Sequence, residues 1–220
     1  MIEAILPAGA VAEEAFADDD GAGEGLFPQE RELVAGAVGK RRREFATGRE
    51  CAHRALARLG VPPGPVASGA RGEPLWPAGV VGSIAHCDGY RACVVGPAER
   101  LLTIGVDAEP HAALPAGLLP DVASAGEREA LAALAAAHPP IHWDRLLFSA
   151  KEAVYKAWYP LAGRWLGFED AELEIDLERG SFAARLLVPG PLVGGAELRG
   201  FEGRWQVAGG LIATAIAVSR

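Results

Sequence analysis

Helical and strand-like patterns alternate along this sequence of 220 residues, and the alternation limits the fold more than any other feature. Residues 28–60 predict a long helix, because apolar side chains recur at helical spacing until Gly60 supplies a stop. Residues 126–137 and 142–159 predict two further helices. Short apolar runs bounded by turn residues predict strands at residues 80–85, 90–95, 101–106, 171–177, 183–188, 203–207 and 211–218.

Each half of the chain therefore offers helix together with strands that short turns connect. This pattern predicts an α+β fold with two similar-sized lobes in one chain. We place the lobes at residues 1–110 and 111–220, because residues 111–125 lack a periodic pattern and predict a loop. Apolar residues make up 50% of the chain, which is enough for a substantial core.

The charge balance excludes one class of partner and indicates another. A net charge of −8 argues against general nucleic-acid binding, which depends on a basic surface. A local exception consists of the basic residues Lys40, Arg41, Arg42, Arg43, Arg49 and Arg54. Such a run is typical either of a solvated helix face or of a surface that binds a small anion.

The remaining composition indicates a reducing, aqueous compartment. No run approaches the roughly 18 apolar residues of a membrane helix, and the acidic residues 12–25 do not resemble a secretory signal. Cys51, Cys87 and Cys93 lack metal-binding spacing and predict reduced, buried thiols. We therefore expect a cytoplasmic protein, in which the acidic segment has no assigned role.

The apolar strand of residues 101–106 leads directly into two acids, Asp107 and Glu109. Side chains two residues apart on a strand point to the same side, so both carboxylates can converge on one cation. The carbonyl of Ala108 lies between them. Two hard oxygen ligands with room for water suit Mg²⁺. The alternative, from this pattern alone, is a surface turn that carries two acids.

A helical segment further along the chain carries a third carboxylate and two lysines. Glu152 and Lys156 are four residues apart, as are Lys151 and Tyr155, so we expect acid and bases to share one face of the helix. The pattern also allows an ordinary ion pair between Glu152 and Lys156, or a capping box from Ser149 to Glu152. A functional site would require this face of the helix to lie against Asp107 and Glu109.

Residues 105–109 read Gly-Val-Asp-Ala-Glu, and residues 148–156 read Phe-Ser-Ala-Lys-Glu-Ala-Val-Tyr-Lys. These two segments resemble the signature motifs of a known family, the Sfp/EntD-type 4'-phosphopantetheinyl transferases. Further segments resemble the actinobacterial, EntD-like branch of the family: residues 42–45, 49–52, 71–77, 82–87 and 165–168. The ordered set is far more specific than either motif alone.

The resemblance implies a fold and an activity. The fold is that of the 4'-phosphopantetheinyl transferases, with two pseudo-symmetric lobes and an active site between them, in a monomer. The activity is Mg²⁺-dependent transfer of the phosphopantetheine arm of coenzyme A to a serine of an apo acyl, aryl or peptidyl carrier protein, with release of 3',5'-ADP. Mn²⁺ is the alternative ion. Such carriers serve fatty acid, siderophore, polyketide or nonribosomal peptide synthesis, and the sequence does not select among them.

The resemblance also implies the roles of individual residues. The catalytic residues are Asp107, Lys151, Glu152 and Lys156; the metal ligands are Asp107, Ala108, Glu109 and Glu152; the coenzyme A contacts are Arg41, Arg49, Arg54, Arg71, Ala85, His86, Asp107, Lys151, Lys156 and Leu166.

Two residues depart from the family pattern. Ala85 offers only a backbone N–H where the family usually has Ser or Thr, which predicts a loss of about 1 kcal/mol in coenzyme A binding. Glu73 stands where a lysine is common, so the contact to the 3'-phosphate depends on Arg71. The rival functions are a coenzyme A-binding module without catalysis and an unrelated Mg²⁺-dependent phosphohydrolase.

Overall fold

A computed structural model describes residues 1–18 and 23–220 of the chain. The helices are α1 (Pro28–Leu33), α2 (Gly39–Arg58), α3 (Leu119–Val122), α4 (Ala125–Ala137) and α5 (Trp143–Ala162), with 3₁₀ turns at Ile2–Ile5 and Phe168–Asp170. The strands are β1 (Val11–Ala15), β2 (Ala67–Ser68), β3 (Pro74–Leu75), β4 (Val80–Cys87), β5 (Tyr90–Pro97), β6 (Leu101–Pro110), β7 (Ala171–Asp176), β8 (Ser181–Leu186), β9 (Leu192–Val193), β10 (Ala196–Glu197), β11 (Gly200–Ala208) and β12 (Leu211–Ser219).

The strands form antiparallel sheets. β1, β5 and β4 make a three-stranded sheet, and β6, β12, β11, β8 and β7 make a five-stranded sheet in that order. β2 pairs with β3, and β9 with β10. The predicted hairpin of β4 and β5 is confirmed, with Cys87 opposite Tyr90. Helices combined with antiparallel sheets confirm the predicted α+β class.

β6 is the edge strand of the five-stranded sheet and lies beside β4 of the three-stranded sheet. It pairs with β12 along its whole length, so the strand continues through Asp107 and Glu109 instead of ending at residue 106. On its other side, the Val106 N–H donates to Ser83 Oγ of β4 at 3.1 Å. The predicted division after residue 110 groups β6 with the N-terminal residues, although its ladder bonds connect it to the C-terminal sheet.

Buried aromatic and aliphatic side chains hold α5 against the five-stranded sheet. Trp143 and Trp158 are 2% and 0% exposed, and Leu146 is fully buried. Each such side chain contributes roughly 1.5–3 kcal/mol to folding. The helix ends at Gly163, which adopts the left-handed conformation that glycine tolerates best, at φ +63°. No described helix is both long and apolar enough to cross a membrane.

Two regions differ from the sequence predictions. Residues 28–60 form α1 and α2 instead of one helix, because Gly36 lies in the break and glycine costs about 1 kcal/mol relative to alanine in a helix. The acidic N-terminal segment, which had no predicted role, contains β1. Glu14 on this strand accepts from the Tyr90 hydroxyl and from the Ile2 N–H. The segment's Asp19 and Asp20 lie outside the described residues.

Candidate functional site

The candidate site forms where α5 lies against β6. Gly105 of β6 is so close to the helix that a Cβ there would lie 2.1 Å from the Ala153 carbonyl oxygen and 2.6 Å from the Ala157 nitrogen. The Thr103 hydroxyl donates to the Ala157 carbonyl oxygen at 2.9 Å. These backbone contacts fix the helix on the strand, and they bring the acids at the end of β6 to the polar side of α5.

Asp107 is the centre of this site and is 4% exposed. Its Oδ1 accepts a hydrogen bond from Lys156 Nζ at 2.8 Å. Its Oδ2 is buried and has no hydrogen-bond partner in the part of the chain that the structure describes. A buried carboxylate oxygen without a partner is costly, so this atom would be stabilised by a cation or a donor that binds beside α5.

Two further carboxylates surround Asp107. Burial raises the pKa of Glu152, and the negative charge of Asp107 raises it further, while Lys156 acts in the opposite direction. Burial and Asp107 likewise raise the pKa of Glu109, against the charge and hydrogen bond of Arg145. Desolvation and mutual repulsion therefore make this group of acids receptive to added positive charge.

The donor set suits Mg²⁺, although two of its carboxylates are held by cations of the chain. Lys156 binds Asp107, and Arg145 Nη1 donates to Glu109 Oε2 at 2.9 Å. Residues 1–18 and 23–220 contain no group of three or more His, Cys, Asp or Glu side chains arranged to hold a metal ion. The partnerless Oδ2 of Asp107 still marks a point at which a hard cation would be favoured.

Lys151 does not join this group. Its Nζ donates to Glu127 Oε2 at 2.9 Å and to the Phe168 carbonyl oxygen at 2.8 Å, and its side chain is 3% exposed. The prediction that Lys151 shares a face with Glu152 and Lys156 is wrong. Successive residues of a helix are turned by about 100°, and this rotation directs Lys151 to α4.

The simpler alternatives for α5 do not describe it either. The helix begins at Trp143, so Ser149 lies inside it and is not a capping residue. The Ser149 hydroxyl instead bonds to the hydroxyl of Thr214 at 2.9 Å. Lys156 pairs with Asp107 and not with Glu152 in the described residues. The polar side of α5 thus meets β6, as a functional site requires.

Known families match most of the chain. Residues 29–96 match the family described as 4'-phosphopantetheinyl transferase N-terminal domain, and residues 103–196 match the 4'-phosphopantetheinyl transferase superfamily. The chain belongs to the 4'-phosphopantetheinyl transferase superfamily. The predicted enzyme class is confirmed.

Curated relatives cover nearly the whole length of this transferase. The 4'-phosphopantetheinyl transferase Svp of Streptomyces mobaraensis is 57% identical over 100% of this chain and 89% of its own. The transferase Npt of Nocardia iowensis is 51% identical over 99% of both chains. PptT of Mycobacterium tuberculosis is 45% identical over 99% of this chain and 98% of its own.

Part of the transferase's predicted coenzyme A surface lies beside Lys156. His86 lies near the end of β4, and its ring reaches solvent. The surrounding protein atoms partly desolvate the ring and lower the pKa of His86, and the positive charges of Lys156 and Arg41 lower it further. These cations would attract an anion to the end of β4.

Two predicted coenzyme A contacts are committed to other partners. Arg49 is 5% exposed and donates to Ser68 Oγ at 2.9 Å. Arg54 Nε donates to Glu13 Oε2 of β1 at 3.2 Å. Arg41 and Arg54 lie about 140° apart around α2, so they point to different sides of this helix, and their shared contact with the nucleotide stays a prediction. Of these three arginines, Arg41 is the one whose charge acts on His86.

The other predicted contacts have mixed surroundings. Arg71 is exposed, and its positive charge acts on the phenol of Tyr155 on α5. Glu73 closes the turn between β2 and β3, where its Oε2 accepts from the Arg71 N–H at 2.8 Å. Ala85 and Leu166 are 0% and 5% exposed and pack in the core. Their contact with coenzyme A stays a prediction.

Sequence reasoning missed Arg145, which holds Glu109. Arg145, Ser149, Glu152 and Lys156 recur at intervals of four, three and four, so they follow one stripe of α5. Arg145 and Lys156 each bind one of the acids at the end of β6. The signal that could have identified Arg145 is its position four residues before Ser149, on the same stripe of the helix.

A separate cavity of about 800 Å³ lies between α4 and the outer strands β7, β8 and β11. Its lining includes Leu131, Leu173 and Phe201, and none of the side chains that meet at Asp107. The chemistry of the candidate site therefore takes place outside this cavity.

A histidine pair, His111 and His142, lies at the start of α5, and we expect it to make the stability of the fold depend on pH. His111 Nε2 accepts from the His142 backbone N–H at 3.2 Å, and the two rings are 4.9 Å apart. Burial, and then the charge of His142, lower the pKa of His111. The unfolded chain therefore binds more protons than the folded one as the pH falls through about 6.5, so we expect the free energy of unfolding to decrease there.

Urea unfolding of the parent and of His111→Gln between pH 7.5 and pH 5 checks this prediction. Glutamine can accept the same N–H without titrating, so the variant should lose less stability in acid than the parent. His138→Gln, at an exposed histidine, is the matched control and should follow the parent. Equal acid sensitivity of all three proteins would show that His111 does not control it.

Proposed function

We propose that this transferase moves the 4'-phosphopantetheine arm of coenzyme A to a serine of an apo acyl, aryl or peptidyl carrier protein, and releases 3',5'-ADP in an Mg²⁺-dependent reaction. Family membership supports the transfer itself. The observation that carries the proposal for this site is the buried Asp107 carboxylate, with one oxygen on Lys156 and the other without a partner among the described residues.

Charge complementarity supports coenzyme A as the substrate. Its pyrophosphate and 3'-phosphate are anions, whereas Arg41 and Lys156 place two positive charges near His86 on a chain of net charge −8. In the proposed complex, Lys156 and His86 bind the pyrophosphate. Arg71, which is exposed near α5, meets the 3'-phosphate.

The transfer needs a base and a counter-charge. The carrier serine oxygen attacks the β-phosphorus of coenzyme A; a new P–O bond forms, and the bond from this phosphorus to the bridging oxygen breaks. Glu152 accepts the proton of the serine hydroxyl. Lys156 stabilises the negative charge that moves to the departing 3',5'-ADP, and Asp107 holds its ammonium group in place.

Oxygen donors at the end of β6 and on α5 would hold the divalent ion. The proposed ligands are Asp107, Glu109 and Glu152 through carboxylates and Ala108 through its carbonyl, a set that suits Mg²⁺ or Mn²⁺. The bound ion would supply positive charge to the pyrophosphate.

Replacing Glu152 with glutamine tests the proposed base. We expect the rate of carrier modification to fall at least about 100-fold, because glutamine cannot accept the serine proton. Calorimetric binding of coenzyme A without metal should stay close to that of the parent. Glu174→Gln, at an exposed residue of β7, is the control. A Glu152→Gln enzyme with the parent rate would contradict the assignment.

Intact-mass measurement of an apo carrier incubated with the enzyme, coenzyme A and Mg²⁺ separates the proposed function from its rivals. We expect the carrier to gain the mass of one phosphopantetheine arm. An unchanged carrier with bound coenzyme A would indicate a binding module without catalysis, and release of inorganic phosphate would indicate a phosphohydrolase. The monomeric state and the cytoplasmic location stay predictions from the sequence, which does not select among the biosynthetic pathways.

A further inference from the structure

Arg145, near the start of α5, connects this helix to Glu109 on β6 and to the backbone that follows β6. Its Nη1 donates to Glu109 Oε2 at 2.9 Å, its Nε to the Ala112 carbonyl oxygen at 3.1 Å, and its Nη2 to the Ala113 carbonyl oxygen at 2.9 Å. The side chains of Arg145 and Glu109 are 16% and 18% exposed, so most of the pair is sheltered from water. A planar guanidinium can make these bonds together, whereas an ammonium cannot keep the same fork.

The residue before Arg145 strengthens the same connection. Asp144 Oδ2 accepts from the Leu114 N–H at 2.9 Å, and Asp144 Oδ1 accepts from the Arg145 N–H at 2.8 Å. The first turn of α5 thus binds the backbone of residues 112–114, which lie just beyond the end of β6. The guanidinium of Arg145 is therefore held from several directions and is a rigid support for Glu109.

Glu109 needs such a support. Its carboxylate is close enough to that of Asp107 to be affected by its charge, and like charges in a partly desolvated site repel each other. A glutamate without a partner would turn to solvent. Arg145 binds one oxygen, Oε2, and Oε1 has no hydrogen-bond partner among residues 1–18 and 23–220.

We propose that Arg145 is a positioning residue that holds Glu109 at the end of β6, so that the free oxygen of this carboxylate joins Asp107 and Glu152 in binding the divalent cation of the substrate complex. The inference rests on the proposed function, because the cation accompanies coenzyme A. Arg145 itself contacts neither the cation nor the phosphates; it acts through Glu109.

The test is the affinity of the enzyme for Mn²⁺ in the presence of coenzyme A and without a carrier, read from the electron paramagnetic resonance signal of free Mn²⁺. We expect Arg145→Gln to weaken Mn²⁺ binding about 10- to 100-fold, the usual loss when the support of a metal ligand is removed. Arg145→Lys should recover part of it. Arg185→Gln, which removes an exposed arginine paired with Glu172 on the outer strands, should bind Mn²⁺ like the parent.

A double-mutant cycle separates positioning from general structural damage. If Arg145 acts through Glu109, Arg145→Gln should have no further effect on Mn²⁺ affinity in a Glu109→Gln background. Equal Mn²⁺ affinity of the parent and Arg145→Gln, additive losses in the cycle, or a parent that binds no Mn²⁺ would each overturn the inference. A parent that binds Mn²⁺ with coenzyme A but leaves the carrier unmodified would overturn the proposed function alone.

Discussion

An Asp107→Asn enzyme is expected to transfer phosphopantetheine about 1000-fold more slowly than the parent, since loss of one preorganised charge in an active site costs up to about that factor. The variant loses the anion that holds Lys156 at 2.8 Å and the buried oxygen proposed to bind the cation. Asparagine is nearly the same size as aspartate, so the packing should stay. The initial rate of mass gain on an apo carrier measures the effect.

Thermal unfolding and a second variant, Asp176→Asn, are the controls for this substitution. Asp107 Oδ2 is buried and has no hydrogen-bond partner among the described residues, so removal of the charge relieves part of a desolvation cost, and we expect little change in thermal unfolding. Asp176→Asn, at the end of β7 beside Arg179, should leave both rate and stability near the parent values. Loss of the charge should slow the reaction far more than tenfold. A folded Asp107→Asn enzyme whose rate is within about tenfold of the parent rate would therefore contradict the assigned role of Asp107.

The second large effect is expected from Gly105→Ala, which should lower the free energy of unfolding by at least about 3 kcal/mol, the upper end for overpacked cores. The added Cβ would lie 2.1 Å from the Ala153 carbonyl oxygen and 2.6 Å from the Ala157 nitrogen. Both atoms belong to the backbone of α5 and cannot rotate away. The helix must therefore move, and with it Lys156.

Urea unfolding with Gly126→Ala as the matched control tests this expectation. A Cβ at Gly126 in α4 would have its nearest neighbours at 3.9 Å, so this alanine should change stability by no more than about 1 kcal/mol. If Gly105→Ala were as stable as Gly126→Ala, α5 would not lie as close to β6 as the structure shows.

Local patterns in the sequence were sufficient to predict the elements that build the site. Strand periodicity predicted β6 up to its acids, and helical spacing placed Glu152 and Lys156 on one side of α5. The two elements are far apart in the chain, and the sequence itself does not show that they meet. The resemblance to a family predicted that these two elements meet. The structure shows the contact as the hydrogen bond from Lys156 to Asp107.

The contacts that the sequence did not predict depend on tertiary partners. Lys151 is drawn to Glu127, which also accepts from the Leu173 N–H, and no spacing rule identifies a partner on another helix. Arg54 belongs to a basic run, but Glu13 of the unpredicted β1 binds it. Arg145 was missed because its role depends on Glu109, which becomes its neighbour only after folding. The basic run therefore predicted an anion-binding surface, but charge alone did not identify which basic side chains belong to that surface.

The most direct test of the transfer is a ³¹P nuclear magnetic resonance spectrum of coenzyme A, apo carrier, Mg²⁺ and the enzyme, followed over time. The account predicts that the pyrophosphate signals decline while a phosphodiester signal on the carrier and the 5'-phosphomonoester signal of 3',5'-ADP grow in equal amounts. These signals should not grow with the Asp107→Asn enzyme over the same period. Persistent pyrophosphate signals with the parent enzyme, or growth of inorganic phosphate, would contradict it.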